Sequence, residues 1–132
     1  MPRAYLAISI DHRTQLEPVI QTLRSTLHQA GIDLFIFVDQ YRFSLQEEKA
    51  MMQAACREID DSDILIAELS VKAIGVGLEA GYAVAKGKPV WYLRNAAAPH
   101  SSTVSGIATE QILYLDEQDL ADQLTHSIRK YH

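Results

Sequence analysis

Short apolar runs alternate with stretches of helical periodicity along the whole chain, and this pattern predicts alternating strands and helices. Each apolar run is five to seven residues long, as is typical of strands buried on both faces of a parallel sheet. The five predicted strands are Ala4–Ile10, Asp33–Val38, Asp63–Ala67, Pro89–Leu93 and Gln111–Leu115.

Helical segments separate these strands, and local signals mark their ends. Ser44 and Glu47 have the spacing of a capping box, in which two side chains satisfy free amides at a helix start, and glycine favours helix termination. The predicted helices run from Thr14 to Ala30, from Ser44 to about Asp60, from the glycine-rich turn at 75–83 to Gly87, and from Glu117 to Tyr131, with a polar loop at Asn95–Thr109.

Strands that alternate with helices predict an α/β fold of three layers, in which helices cover both faces of a five-stranded parallel sheet. The expected strand order is 2-1-3-4-5, as in flavodoxin-like and Rossmann-like folds. Such sheets bind ligands outside the carboxyl ends of the strands, near the point where the strand order reverses. The segments expected to meet there are Ser9–Arg13, Glu68–Glu79 and the loop after Asn95.

Composition restricts the classes of function. The chain of 132 residues is expected to form a single domain, residues 1–132. A net charge of −5 without a basic stripe argues against nucleic-acid binding. The single cysteine, Cys56, excludes an internal disulfide. The sequence contains neither an apolar stretch of membrane-spanning length nor a signal-peptide pattern, so we expect a cytoplasmic protein that does not bind membranes.

The most informative segment is Gly75–Ala83 (GVGLEAGYA), which places one carboxylate, Glu79, among three glycines. Each glycine in a helix costs up to about 1 kcal/mol relative to alanine, and close approach of a ligand to the backbone would explain the glycines. Near a helix start, the helix dipole favours the anionic form of Glu79, whereas burial would raise its pKa. Alternatively, Glu79 is a solvated helix residue and the glycines only permit tight packing.

The run from Asp61 to Leu93 resembles the core of the nucleoside 2-deoxyribosyltransferase family and of its hydrolytic relatives, the 2-deoxynucleoside 5-phosphate N-hydrolases. In that superfamily an aspartate-rich strand precedes the pattern G-x-G-x-E-x-G-x-A, and the glutamate is the catalytic nucleophile. The pattern fits Gly75, Gly77, Glu79, Gly81 and Ala83, and Tyr5 and Ser105 fit two further family positions.

The resemblance implies an enzyme that cleaves the N-glycosidic bond of a nucleoside or nucleoside 5-phosphate, without cofactor or metal. Glu79 would bond to the anomeric carbon or stabilise its positive charge, and Tyr5 would orient Glu79. Gly75 and Gly77 would let the sugar approach the backbone. Ser105 falls where the hydrolases contact the phosphate bound by a partner subunit. This match favours hydrolysis over transfer to another base, and it implies a homodimer or higher homo-oligomer.

Three positions depart from the family pattern. Ala55 stands where the family has a second acidic residue, and Ala73 stands where transferases have aspartate and hydrolases serine. The arginine of the hydrolases' first loop aligns with Asp11, although Arg13 lies two residues further on and is suited to bind phosphate. Two alternatives to an enzyme therefore stay open. One is a non-catalytic module that binds or senses a nucleotide in the same crevice, and the other is a scaffold domain.

The remaining candidate residues each have two interpretations. Ser9 is expected to reach a phosphate or hydroxyl group, or to be a buried serine bonded to backbone. Glu68 and Glu58 are candidates to replace the missing acid. The aspartates at 60, 61 and 63 are more typical of a helix-to-strand turn than of a metal site, and the five histidines lack metal-binding spacing. The glycine spacing also differs from a dinucleotide-binding fingerprint.

Overall fold

The computed structural model describes residues 1–131 and contains one five-stranded sheet. All four strand pairings are parallel, and the order is β2-β1-β3-β4-β5. The predicted α/β class and strand order are confirmed. The strands are β1 (Arg3–Ala7), β2 (Asp33–Ile36), β3 (Ile64–Glu68), β4 (Val90–Asn95) and β5 (Glu110–Tyr114).

Helices cover both faces of the sheet. One face packs its alternate side chains with α1 and α6, and the other packs with α3, α4 and α5. Because side chains alternate along a strand, Leu6 and Ile66 belong to the first face, while Tyr5 and Leu65 belong to the second. The helices are α1 (Glu17–Gln29), α2 (Phe37–Gln40), α3 (Glu48–Asp60), α4 (Ile74–Ala85), α5 (Ser102–Ile107) and α6 (Glu117–Tyr131).

Two of the predicted strands end early. The first strand stops at Ala7 rather than Ile10, because the chain turns into a short 3-10 helix at Ile10–His12. The second stops at Ile36 rather than Val38, where α2 begins. The ring of Phe37 stacks on that of Tyr41 with centroids 4.7 Å apart, and this contact favours the helical turn over continued strand.

The predicted polar loop at Asn95–Thr109 contains a helix, α5, so this part of the prediction was wrong. The Ser101 hydroxyl caps α5 by accepting a hydrogen bond from the Val104 amide at 3.4 Å. Val104 is buried in the core on the second face. Four closely spaced hydroxyl residues made the segment resemble a loop, whereas one apolar anchor and one cap are enough for a helix of this length.

The glycine-rich segment is helical rather than a turn. The helix α4 begins at Ile74, so Gly75 and Gly77 lie inside its first turn. Positive φ angles occur instead at Gly31 and Gly87, which end α1 and α4 as predicted. Among the residues that the structure describes, no helix is long and apolar enough to cross a membrane.

Candidate active site

A crevice of about 320 Å³ opens beside the carboxyl ends of β1 and β2 and the start of α4. This volume lies at the small end of the usual range for small-molecule sites, and the position is where the strand order reverses. Three chain segments line it: Tyr5 to Asp11, Ile36 to Val38, and Ala73 to Glu79. Of the three segments predicted to meet here, Ser9–Arg13 and Glu68–Glu79 each contribute part of the lining. The loop after Asn95 lines a different cavity, so that part of the prediction was wrong.

Tyr5 and Glu79 meet at the base of the crevice. The hydroxyl of Tyr5 donates a hydrogen bond to Oε2 of Glu79. Tyr5 is fully buried in β1, and its side chain points to the sheet face that α4 covers. Its ring packs against Phe35 of the neighbouring strand, with centroids 5.7 Å apart. The hydroxyl is therefore held in place by the sheet, while the carboxylate is presented by the helix.

The carboxylate of Glu79 is poised to titrate near neutral pH. Burial raises its pKa to about 7, although the hydrogen bond from Tyr5 acts in the opposite direction. Glu79 is the sixth residue of α4, so it lies beyond the first turn, where the helix dipole acts most strongly. Of the two opposing effects expected from the sequence, the helix dipole and burial, burial is therefore the larger.

The proton of Tyr5 stays on its oxygen at physiological pH. Burial raises the pKa of Tyr5 far above its usual range, and the nearby charge of Glu79 raises it further. A tyrosinate beside a carboxylate would place two negative charges in contact in a poorly solvated site. Tyr5 therefore acts as a permanent donor to Glu79, and Glu79 is the group that changes protonation.

The glycines of α4 open space instead of permitting tight packing. A Cβ added at Gly75 or Gly77 would meet no atom within 4 Å. Gly75 lines the crevice, whereas Gly77 lines a second cavity of about 340 Å³ on the other side of the helix start. The two cavities share Ala73. The start of α4 therefore separates the two cavities, and the absence of side chains at Gly75 and Gly77 leaves space on each of them.

The second cavity brings hydroxyl groups and a cation to the start of α4. Its lining includes Lys72, Gly77, Ser101 and Thr103. The Oγ atoms of Ser101 and Thr103 lie 3.3 Å apart. Among the hydroxyl residues of this segment the family resemblance pointed to Ser105, whereas the structure places Ser101 and Thr103 in the lining of this cavity. The helical conformation of α5 accounts for this difference. It places Ser101 and Thr103 on the side of α4, whereas Ser105 bonds to Gln111 on β5.

Ser105 lies outside the lining of both cavities in its own chain. Its hydroxyl accepts a hydrogen bond from Nε2 of Gln111 at 2.8 Å, and the residue is half-buried. A role for Ser105 in the site of the same chain would require this contact to break. A role in a partner's site remains the prediction that the family resemblance implies.

Ser9 and Arg13 occupy different environments. Ser9 is buried, lines the crevice, and has its Oγ 2.9 Å from Nδ1 of His12. Arg13 is engaged elsewhere: its Nε and Nη2 donate to the two carboxylate oxygens of Asp39 at 3.2 and 3.0 Å, and Nη1 donates to Glu17. The guanidinium of Arg13 must leave these partners before it can bind a phosphate.

The two candidate replacements for the missing acid at Ala55 are not in the crevice. Glu68 is buried on the sheet face opposite Tyr5, where it bonds to Ser70 and Tyr114. The alternation of side chains along β3 predicts this direction, since Glu68 follows Ile66 on the same face. Glu58 accepts hydrogen bonds from Arg3 at 2.9 Å and Tyr41 at 2.5 Å.

Ala73 occupies the N-cap position of α4. Its backbone is extended, with φ −146° and ψ 137°, and its methyl group leaves the helix start without a side-chain cap. An aspartate or serine at this position would satisfy an amide at the helix start. The loss of the usual family residue therefore affects helix capping as well as the chemistry of the adjoining cavities.

An aromatic group that sequence reasoning missed borders the crevice. The rings of Phe37, Tyr41 and Phe43 lie nearly parallel, with interplanar angles of 9 to 15°. Phe37 contributes to the crevice lining. The only available signal was the recurrence of aromatic residues at 37, 41 and 43 just after a predicted strand.

The aspartates around residue 60 have structural partners. Asp60 accepts a hydrogen bond from the Tyr82 hydroxyl at 2.8 Å, and Asp63 accepts one from the Arg3 amide at 2.9 Å. Within residues 1–131, no group of three histidine, cysteine, aspartate or glutamate side chains is arranged to hold a metal ion.

Sequence and structure comparisons identify related proteins. Residues 4–124 match the family model described as nucleoside 2-deoxyribosyltransferase. A curated relative from Thermofilum pendens, named for 2'-deoxynucleoside 5'-phosphate N-hydrolase activity, is 33% identical over 73 residues, which are 52% of this chain. The matched region covers 51%, about half, of the relative's own length.

Two solved structures illustrate the shared fold. The CMP N-glycosidase of Clostridium botulinum superposes with a TM-score of 0.72 and 22% identity, covering 95% of this chain and 98% of that one. A 2-deoxyribosyltransferase of Bacillus psychrosaccharolyticus also gives a TM-score of 0.72, with 16% identity and coverage of 96% and 95%. At these identities the likeness establishes the architecture.

Proposed function

The chain belongs to the nucleoside 2-deoxyribosyltransferase family, and on that premise we propose that it is an enzyme that cleaves the N-glycosidic bond of a nucleoside or nucleoside 5-phosphate, with Glu79 as the nucleophile. The observation that carries the proposal is the hydrogen bond between Tyr5 and Glu79 at the base of the crevice. It gives the carboxylate a fixed direction and a permanent donor, and it opposes the rise in pKa that burial causes. These are the properties that a nucleophile at an anomeric carbon needs.

The proposed reaction has two steps. First, an oxygen of Glu79 bonds to the anomeric carbon while the bond from that carbon to the base nitrogen breaks, and the bonding electrons leave with the base, which takes a proton from solvent. Second, the oxygen of water, or a nitrogen of another base, attacks the same carbon and displaces the carboxylate. The attacking group loses its proton to solvent, and Glu79 is regenerated.

Hydrolysis of a nucleoside 5-phosphate is the form that we favour. The Thermofilum pendens relative is named for that activity. In this chain, Lys72, Ser101 and Thr103 are among the residues that line the second cavity, together with Gly77. A cation and hydroxyl donors are suited to hold a phosphate group, while the sugar lies against Gly75 and Glu79 in the crevice.

The proposal is tested by incubating the purified protein with a panel of deoxynucleosides, ribonucleosides and their 5-monophosphates, with and without a second base as acceptor. Release of free base without an acceptor indicates hydrolysis, and base exchange that needs the acceptor indicates transfer. Glu79→Gln is expected to abolish either reaction. Glu110→Gln is the matched control and should keep the activity, because Glu110 is a carboxylate on β5 that pairs with Lys130. Turnover that persists in Glu79→Gln contradicts a glutamate nucleophile.

A non-catalytic nucleotide-binding module is the second candidate, because Ala55 and Ala73 replace two family side chains. It predicts that nucleotides raise the unfolding temperature of both the wild type and Glu79→Gln, while no base is released from any substrate. Thermal shift with the same panel separates this function from the first.

We also propose that the chain acts as a homodimer. Ile74 and Leu78, one turn apart on α4, have 86% and 60% of their surfaces exposed. Two large apolar side chains on one helix ridge favour contact with another protein surface. This ridge begins beside the second cavity, which Ile74 itself lines. A partner packed there would lie close enough to the site to contribute residues to it.

A further inference from the structure

Away from the crevice, Glu68, the last residue of β3, has a buried carboxylate that accepts three hydrogen bonds. Only 1% of Glu68 is exposed, and it lies on the sheet face opposite Tyr5. A buried carboxylate is unfavourable unless donors surround it. Burial raises the pKa of Glu68, although its hydrogen-bond donors act in the opposite direction. Burial of a carboxylate at this position costs free energy that an apolar residue would not.

Three donors converge on Glu68. Oε1 accepts from the Ser70 amide at 2.7 Å, and Oε2 accepts from the Ser70 hydroxyl at 2.9 Å and the Tyr114 hydroxyl at 2.5 Å. The two hydroxyl oxygens are themselves 3.2 Å apart. Because each hydroxyl has a single proton, a hydroxyl that donates to Glu68 cannot also donate to the other hydroxyl. We name Glu68, Ser70 and Tyr114 the Glu68 cluster.

The Glu68 cluster joins the carboxyl ends of three neighbouring strands. Tyr114 is the last residue of β5, and Ser70 follows β3 by two residues. The oxygen of Ser70 also accepts a hydrogen bond from the amide of Asn95, the last residue of β4, at 2.9 Å. Ser70 is thus held on one side by a carboxylate and on the other by a neighbouring strand.

Ser70 also lies in the connection that leads to α4. This segment, residues 69–73, begins with the Leu69 amide bonded to the Leu93 carbonyl at 2.8 Å. It ends at Ala73, which lines both cavities and has no side chain able to cap α4. The contacts of Ser70 therefore lie in the segment that leads directly into α4.

We propose that the Glu68 cluster positions the start of α4, and with it Glu79 against Tyr5, from the opposite face of the sheet. Glu68, Ser70 and Tyr114 are then positioning residues that act through the 69–73 segment. The kinetic part of this inference rests on the proposed function, and the structural part does not. Displacement of a reacting group by about 1 Å can cost on the order of a hundredfold in rate, so loss of one anchor is expected to lower kcat more than it changes KM.

Four variants test the proposal. Tyr114→Phe and Ser70→Ala each remove one hydroxyl from the cluster, and Ser70→Thr keeps the hydroxyl. Glu110→Gln is the matched control, because Glu110 is a β5 carboxylate that accepts from Ser127 at 2.8 Å and pairs with Lys130 at 2.9 Å on α6. Each variant is measured in two ways, by hydrogen exchange of the peptide covering residues 69–79 and by steady-state kinetics with the best substrate from the panel.

Exchange across residues 69–79 is expected to accelerate in Tyr114→Phe and Ser70→Ala, and to match the wild type in Ser70→Thr and Glu110→Gln. kcat is expected to fall about tenfold in the first two while KM changes less than about threefold, since one anchor is lost without loss of a substrate contact. Ser70→Thr should recover most of kcat.

Exchange in residues 69–79 that is no faster than in Glu110→Gln overturns the proposal, as does a fall in kcat that Glu110→Gln reproduces. If the wild type turns over no substrate, the proposed function fails, and the exchange measurement alone still decides whether the cluster positions α4. Tyr114→Phe keeps the buried ring, so it carries the test if Ser70→Ala does not fold.

Discussion

The hydroxyl of Tyr5 and the carboxylate of Glu79 are joined by a hydrogen bond that spans 74 positions of the sequence. Tyr5 belongs to the first strand, and Glu79 to the helix after the third. Because the bond stabilises the charged form of Glu79 while burial opposes it, the pair sets the pH at which the carboxylate becomes available.

Removal of this hydrogen bond should shift the pH dependence of the reaction. If Glu79 must be ionised to act, kcat/KM rises with pH and reaches half of its maximum near the pKa of about 7. In Tyr5→Phe the pKa of Glu79 rises further, so the midpoint moves to higher pH and activity at pH 7 falls. Tyr82→Phe is a matched control, because its hydroxyl bonds to Asp60 at 2.8 Å. A midpoint that stays in place or moves to lower pH contradicts the role of Tyr5.

The raised pKa of Glu79 also has a consequence for stability. In the window between its ordinary value of 4.5 and about 7, the folded chain holds a proton that the unfolded chain has lost. The stabilisation from Glu79 is therefore complete below the lower value and is lost as pH rises through the upper one, by roughly 3 kcal/mol in total. Urea unfolding at pH 5 and pH 8 measures the change.

Glu79→Gln should remove this contribution, so that the variant gains stability relative to the wild type as pH rises from 5 to 8. The control Glu110→Gln should behave differently. Burial acts to raise the pKa of Glu110, but the hydrogen bonds that it accepts from Lys130 and Ser127 act in the opposite direction, and the net effect is a lowered pKa. That carboxylate therefore stabilises the fold at neutral pH, and the variant should be less stable there. A stability difference between Glu79→Gln and the wild type that does not change with pH would show that Glu79 is solvated.

A polar residue at position 73 should stabilise α4. Ala73 already has the extended backbone of an N-cap, and a serine or aspartate cap contributes about 1 kcal/mol relative to alanine. Ala73→Ser and Ala73→Asp are therefore expected to raise the free energy of unfolding by that amount. Ala96→Ser, in an exposed loop, is the control. A loss of stability in both variants would mean that the cavities on each side of residue 73 do not tolerate a larger side chain.

Arg13 offers a test of the competing arrangement, in which the phosphate binds to Arg13 instead of beside Lys72 in the second cavity. In that arrangement, release of Arg13 should favour substrates that carry a phosphate. Asp39→Asn removes the charge that holds Arg13 on two of its nitrogens. KM for a nucleoside 5-monophosphate is then expected to fall by a factor on the order of ten, the equivalent of one hydrogen bond to a charged group. KM for the nucleoside should stay constant. The gain should disappear in the double variant with Arg13→Ala, and a gain that persists there assigns the effect to another residue.

The exposed ridge of α4 should control the oligomeric state. A charge within an apolar interface is strongly unfavourable, so Leu78→Asp is expected to convert a dimer into a monomer on gel filtration. Leu115→Asp changes a side chain that is 75% exposed next to β5 and should leave the elution volume unchanged. A monomeric wild type would rule out completion of the site by Ser105 of a second copy.

The sequence determined the architecture because hydrophobic periodicity records burial residue by residue. Buried parallel strands and amphipathic helices have different periods, and five strands alternating with helices leave few topologies. The strand order, the glycines that end α1 and α4, and the capping box of Ser44 and Glu47 followed from these local rules. The family resemblance added that Glu79 and Tyr5 belong to one site.

Only the tertiary structure decided which polar groups meet. Arg13 is paired with Asp39, 26 positions away, and Glu68 faces away from the crevice toward Tyr114. The pKa of Glu79 follows from desolvation by segments that are remote in sequence. Local patterns report whether a side chain is buried, whereas the partner of that side chain and its protonation depend on the packing of several segments in three dimensions. The sequence, through the family resemblance, therefore identified the carboxylate of Glu79 and its partner Tyr5, and the fold decided the pKa of Glu79 and the shape of the cavities beside it.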